Sequence, residues 1–97
     1  MRKQKAITLL RRILADNHAA TAEFMAGRLT ERQWQSTIHF GECFFESVLP
    51  AAETGELRAL LDDSALGSGL CNALVRQELA ERADRDRSEA TPWRLKP

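Results

Sequence analysis

The chain has 97 residues, of which 43% are hydrophobic and 29% are charged. This composition excludes a disordered chain and fits one domain with a modest core. The 14 basic and 14 acidic residues give a formal net charge of zero, whereas most nucleic-acid-binding domains are basic. Two cysteines exclude a disulfide framework. Neither a membrane span nor a signal peptide is expected, because Arg11 and Arg12 interrupt the early apolar run, and the cytoplasm is the expected compartment.

The first predicted element is a helix, because Ile7, Leu10 and Leu14 recur at helical spacing. This helix either continues towards Gly27 or breaks near Asp16–His18. Its apolar side chains either cover the core or pack against the same helix of a second subunit. Both alternatives are open from the sequence alone.

The second predicted helix has the clearest start signal in the chain. Thr30 is followed three residues later by Gln33, which is the spacing of a capping box. Pro50 ends the helix, because proline cannot continue the backbone hydrogen bonding. The expected core is centred here and comprises Trp34, Ile38, Phe45 and Leu74.

A short helix, a break and another helix follow. Leu57, Leu60 and Leu61 mark the short helix. Gly67 and Gly69 mark the break, because glycine adopts backbone angles that other residues avoid. The next helix has an apolar face made of Leu70, Cys71, Leu74 and Val75. Its opposite face carries Gly69, Asn72, Ala73, Arg76 and Gln77.

The C-terminal region contains two short segments, Leu79–Ala83 and Thr91–Leu95, on either side of a charged stretch. This arrangement predicts a β-hairpin with basic arms. In its second strand, Trp93 and Leu95 would point inward, while Arg94 would point outward.

Over roughly residues 30–97, the chain resembles the winged helix-turn-helix family. The resemblance lies in the order of elements: a helix, a glycine-containing break, a second helix and a basic hairpin. The resemblance implies a mainly α fold with a C-terminal β-hairpin. Residues 30–97 would form the winged-helix-like domain, and residues 1–29 an N-terminal helical segment suited to dimerisation. In this family the second helix enters the DNA major groove, and the wing contacts the backbone or minor groove. The implied DNA-binding residues are Ser68, Asn72, Arg76 and Gln77 on the helix and Arg82, Arg85, Arg87 and Arg94 on the wing.

These residue types suit DNA, since arginine binds guanine with two hydrogen bonds and asparagine or glutamine does so with adenine. The resulting hypothesis is a small transcriptional regulator that binds double-stranded DNA and needs no cofactor. We expect it to be a homodimer, because two half-sites raise affinity. The expected dimer contact comprises Ile7, Leu10 and Leu14.

Two alternatives are open. A second helix-turn-helix candidate covers residues 21–40, with Arg32, Gln33, Gln35, Ser36 and His39 as its exposed residues. The other alternative is a small protein-interaction module or inhibitor that binds another protein. The zero net charge favours the interaction module, as does the acidic stretch at residues 16–75, where nine acids face three bases.

Metal binding and catalysis are not expected. His39 and Cys43 have a spacing that metal ligands use, and His18 and Cys71 could complete a set of four. However, no CxxC or HxxxH pair supports such a site. The sequence also has no glycine-rich phosphate loop and no nucleophile motif, so we do not expect an enzyme.

Overall fold

The computed structural model describes residues 5–67 and 69–90 of the chain, without the side chains of Ala65 and residues 88–90. Regular structure in this part is entirely helical: α1 (Ala6–Met25), α2 (Glu31–Val48), α3 (Thr54–Leu61) and α4 (Leu70–Ala90). Short 3₁₀ turns at Leu49–Ala51 and Ser64–Leu66 precede α3 and α4. Of these described helices, none is long and apolar enough to cross a membrane.

Helix α1 is continuous through Asp16–His18, so the alternative with an early break is wrong. The helix is terminated by Gly27, whose φ of 79° is a value that glycine adopts without strain. The Gly27 N–H donates to the Phe24 carbonyl, and the Arg28 N–H donates to the Glu23 carbonyl. Both bonds satisfy carbonyls at the helix end, in the arrangement of a Schellman motif.

The predicted capping box at the start of α2 is confirmed. The Gln33 N–H donates to Thr30 Oγ1 at 3.1 Å, and the Thr30 N–H donates to Gln33 Oε1 at 2.9 Å. The predicted end is also confirmed, because α2 stops at Val48 and Pro50 lies in the 3₁₀ turn that follows. The sequence signals therefore locate both ends of this helix.

Helices α1 and α2 form an antiparallel hairpin. The rings of Phe24 and Trp34 stack near the connecting turn, with centroids 4.6 Å apart and planes at 8°. Trp34 Nε1 donates to Thr21 Oγ1 at 3.0 Å. Further along, Gly41 lies so close to Asn17 that a Cβ atom at Gly41 would be 2.4 Å from Asn17 Oδ1. This lengthwise packing differs from the steep crossing of a helix-turn-helix, so the candidate at residues 21–40 is an αα-hairpin.

The hydrophobic core lies where α1 and α2 meet α3 and the first half of α4. Phe45 is fully buried at its centre, as predicted. Leu74 packs at the edge of the core, whereas Trp34 and Ile38 are half-buried outside it. The prediction that all four residues are buried together is therefore wrong. The buried cluster comprises Leu10, Ile13, Leu14, Phe45, Leu49, Ala52, Leu57, Leu60, Leu66, Cys71 and Val75.

The predicted winged-helix fold with a C-terminal β-hairpin is wrong. Leu79–Ala83, expected to be the first strand, lies inside α4, which continues to Ala90. Leucine, alanine, glutamate and arginine in this stretch are all good helix formers. Glu78 and Arg82 also pair one helical turn apart, at 2.8 Å. Thr91–Leu95, the expected second strand, lies outside the described residues.

Candidate functional site

The exposed face at the start of α4 carries three of the residues implied in DNA binding. Asn72 Nδ2 donates to the Gly67 carbonyl at 2.9 Å, and Asn72 Oδ1 accepts from Arg76 Nε at 2.8 Å. Gln77 Nε2 donates to Glu81 Oε1 at 3.2 Å. Asn72 and Arg76 are thus held together beside the turn, and Gln77 lies next to them. Ser68 lies outside the described residues.

Arg82 has a structural position that was not predicted from the sequence. Its side chain is only 15% exposed. Its guanidinium group donates to Thr54 Oγ1 at 3.0 Å and to the carbonyls of Leu49 and Pro50 at 3.2 and 3.3 Å. The group also pairs with Glu78. Arg82 therefore fastens α4 to the junction between α2 and α3. The sequence signal for this position was Glu78, because a glutamate four residues before an arginine is the spacing of an ion pair on a helix.

Arg85 and Arg87, also expected on the wing, lie on helix α4 instead. Arg85 is 66% exposed and lies 3.6 Å from Glu78. Arg87 pairs with Asp84 on the same helix. Arg94 lies outside the described residues. The basic side chains at the end of α4 thus lie beside acidic ones on a single helix, which reduces the positive charge available to a phosphate backbone.

The residues expected at the dimer contact face the core of their own chain. Leu10 is fully buried, and Leu14 is 5% exposed. Ile7 packs against the same core. This surface of α1 is therefore already covered within the chain, and a second subunit would have to bind elsewhere.

An exposed apolar groove of about 350 Å³ runs between α1 and α2 and is lined by residues of these two helices. We call it the Phe groove. Its most prominent residues are Phe40, which is 71% exposed, and Phe44, which is 44% exposed. The residues that line it are Leu9, Arg12, Ile13, Asp16, Asn17, Thr37, Phe40, Gly41 and Phe44.

The close approach of the two helices forms the floor of the Phe groove. Gly41 is buried there against Asn17, and its missing side chain keeps the floor low. Arg12 and Asp16 are exposed on the α1 rim. The groove was not predicted from the sequence, although the spacing of Phe40 and Phe44 on α2 was a signal for a second apolar stripe.

The cysteine and histidine residues do not converge on one site. His39 and Cys43 lie close together on exposed α2, with 3.7 Å between Nε2 and Sγ. Cys71 is buried in the core instead. Burial, and then the charge of Glu42, raise the pKa of the Cys71 thiol to about 11. Within the described residues, no group of three His, Cys, Asp or Glu side chains is arranged to hold a metal ion.

Comparison of the chain with protein-family models, curated proteins and solved structures gives no match. Function must therefore be inferred from the geometry of the Phe groove and of the exposed face of α4.

Proposed function

We propose that this protein is a small helical interaction module that binds an apolar helical surface of another polypeptide in the Phe groove. The exposure of Phe40 and Phe44 is the observation that carries the proposal. Burying a phenylalanine side chain stabilises a protein by about 1.5–3 kcal/mol. The fold leaves most of this gain unused at Phe40 and part of it at Phe44, so the remainder is available for binding.

The composition of the Phe groove suits a protein partner. Aromatic residues are enriched where proteins bind each other, and the centre of such interfaces is poor in charge. Here Phe40, Phe44 and Leu9 supply the apolar surface, while Arg12 and Asp16 are on the rim. An amphipathic helix placed lengthwise in such a groove buries its apolar face and leaves its polar face in water.

The test places a photo-crosslinking amino acid, benzoyl-phenylalanine, at position 40 of the full chain in cells. We expect irradiation to give a covalent adduct with a polypeptide. The matched control places it at Gln35, which is exposed on α2 but turned away from the groove, since successive residues rotate by about 100°. The adduct should form at position 40 and not at position 35.

A second substitution links the adduct to the groove itself. Phe44→Glu puts a charge beside position 40 without touching the core, so the circular dichroism spectrum should be unchanged and the adduct should disappear. If position 40 gives no more adduct than position 35, or if Phe44→Glu leaves the adduct intact, the proposed function is wrong.

A second candidate is sequence-specific DNA binding by a transcriptional regulator, through α3, the glycine turn and α4. The neighbouring side chains of half-buried Asn72 and exposed Arg76 and Gln77 at the start of α4 favour it. Arg76→Ala should then weaken binding to the specific site by about 1–3 kcal/mol. The control Arg32→Ala removes an exposed base from α2 and should leave that binding unchanged. The absence of any mobility shift at low salt would exclude this candidate.

Both candidates are binding roles rather than catalytic ones. Both also fit a reducing compartment such as the cytoplasm, because Cys43 and Cys71 are free thiols.

A further inference from the structure

The register of the α1–α2 hairpin places the features of the Phe groove symmetrically. Phe24 lies opposite Trp34, and Asn17 lies opposite Gly41. In this register, the point midway between Arg12 and Asp16 on α1 lies opposite Phe44 on α2. Phe44 is therefore at the centre of the groove. Along the α1 rim, the base Arg12 lies before this level and the acid Asp16 lies after it.

The charges on the α1 rim of one copy are complementary to those on the same rim of a second copy. Arg12 and Asp16 are exposed, and within the described part of the chain neither forms an ion pair. When two identical helices pack antiparallel about a two-fold axis, residues equally far from the axis meet. An axis at the level of Phe44 brings Arg12 of each copy to Asp16 of the other. This gives two equivalent ion pairs, whereas a parallel arrangement would place like charges together.

The apolar residues fit the same axis. Phe40 is one helical turn from Phe44 along α2, and Leu9 is at about the corresponding distance on the other side of the axis along α1. Rotation about the axis therefore brings Phe40 of one copy near the level of Leu9 of the other. The two Phe44 rings meet at the centre.

We propose that the Phe groove packs against the same groove of a second copy. Two α1–α2 hairpins then lie face to face in an antiparallel homodimer. This inference rests on the proposed function, because it identifies the bound polypeptide as a second copy of this chain. The interface uses a different face of α1 from that of Ile7, Leu10 and Leu14, whose side chains pack into the chain's own core.

Sedimentation velocity of the full chain over a range of concentrations tests the proposal. We expect a species of twice the chain mass of 10.9 kDa that dissociates on dilution. Arg12→Asp and Asp16→Arg each replace two attractions by two repulsions, so each should weaken dimerisation roughly tenfold. The control Arg32→Asp reverses an exposed charge about three helical turns from the axis and should have no effect.

Mixing the two single variants gives the sharpest result. The Arg12→Asp copy carries two acids on its rim, and the Asp16→Arg copy carries two bases, so both ion pairs are attractive again when these copies meet. The mixed dimer should recover the affinity of the original chain, although each variant alone dimerises weakly. No ordinary effect on folding predicts this recovery, and both substitutions should leave the circular dichroism spectrum unchanged because the side chains are exposed.

A cysteine placed at the axis checks the register. In a Cys43→Ser background, Phe44→Cys should form a disulfide with itself across the axis under mild oxidation, whereas Thr37→Cys, two turns away, should not. The proposal that a second copy occupies the Phe groove is wrong if the chain stays monomeric at all concentrations. It is also wrong if Arg12→Asp leaves the dimer unaffected. If position 40 still gave its groove-dependent adduct with a different polypeptide, the proposed function would survive.

Discussion

Phe44 and Phe45 are neighbours on α2, yet the first is 44% exposed and the second is completely buried. Phe45 points into the core shared by the four helices, together with Leu10, Leu57 and Val75. Phe44 lies about 100° away on the same helix, in the Phe groove, with Phe40 one turn from it. Helix α2 therefore has two apolar faces, and the chain itself covers only one of them.

This contrast shows that an apolar stripe specifies burial but does not specify what covers it. The face containing Phe45 stabilises the fold, whereas the face containing Phe40 is available to a second polypeptide. The two faces should therefore respond differently to the same substitution, with losses of folding on one side and losses of binding on the other.

The largest contrast is expected from alanine substitutions of the two neighbours. Phe45→Ala should lower the free energy of unfolding by about 3–5 kcal/mol, because it leaves a cavity in the core. Phe44→Ala should lower it by about 1 kcal/mol or less, because only about half of this side chain is covered within the chain. Urea denaturation followed by circular dichroism, at concentrations low enough to keep the chain monomeric, measures both. Equal losses at the two positions would contradict the division between the faces.

The next effect tests whether α4 belongs to the folded body. Arg82→Ala should cost about 2 kcal/mol, because it removes hydrogen bonds from a charged and largely buried group to the carbonyls of Leu49 and Pro50. Arg85→Ala is the matched control, since Arg85 is 66% exposed, and it should stay within about 0.5 kcal/mol. The same denaturation measurement applies, and an unaffected Arg82→Ala variant would rule out the fastening role.

A smaller loss of stability is expected at the start of α2, the helix that carries both apolar faces. Thr30→Ala removes half of the capping box and should cost about 1 kcal/mol. Ser36→Ala, at an exposed position inside the same helix, should leave the stability unchanged or slightly higher, because alanine is the better helix former. Thermal unfolding of the two variants side by side measures the difference.

The last effect is the smallest at neutral pH and concerns the two thiols, of which one lies outside and one inside the fold. At pH 8 a thiol reagent should label exposed Cys43 quickly and leave buried Cys71 intact until the chain unfolds. The pKa of Cys71 rises from an ordinary 9.0 to about 11 in the fold. Between these values the unfolded thiol ionises and the folded one does not, so stability should be unaffected at neutral pH and should fall as pH rises through this window. Cys71→Ala should remove that part of the pH dependence.

Local signals allowed much of the fold to be predicted. The Thr30 capping box, the stop at Pro50 and the break near Gly67 each depend on a few adjacent residues, and each is present. The end of the chain was predicted wrongly because Leu79–Ala83 is too short to distinguish a strand from a helix by its pattern. Contacts of Arg82 with residues 32 and 33 positions earlier help to hold it as a helix, and no local pattern reveals such contacts.

The candidate sites show the same limit. The outward direction of Asn72 and Arg76 was inferred from the apolar residues expected on the opposite side of α4. Arg76 is exposed as predicted and Asn72 is half-buried, whereas Leu70, expected on the apolar face, is 51% exposed. The exposure of Phe40 and Phe44 could not be predicted, because nothing in their spacing separates an apolar side chain covered within the chain from one left open. That distinction depends on how α1 packs against α2.

The contacts of Arg82 also divide α4 into two parts. Their helical turns unfold locally at different rates. Residues 83–87 are exposed and have no apolar face against the body. The turns that contain them are therefore held by their own helix propensity and side-chain pairs, and such turns fray and re-form within about a microsecond. Among the arginines of α4, a protease specific for arginine would cut first after Arg85 or Arg87. The part of the chain before Arg82 would keep its core and the Phe groove, so digestion would yield a smaller folded fragment rather than a destroyed one.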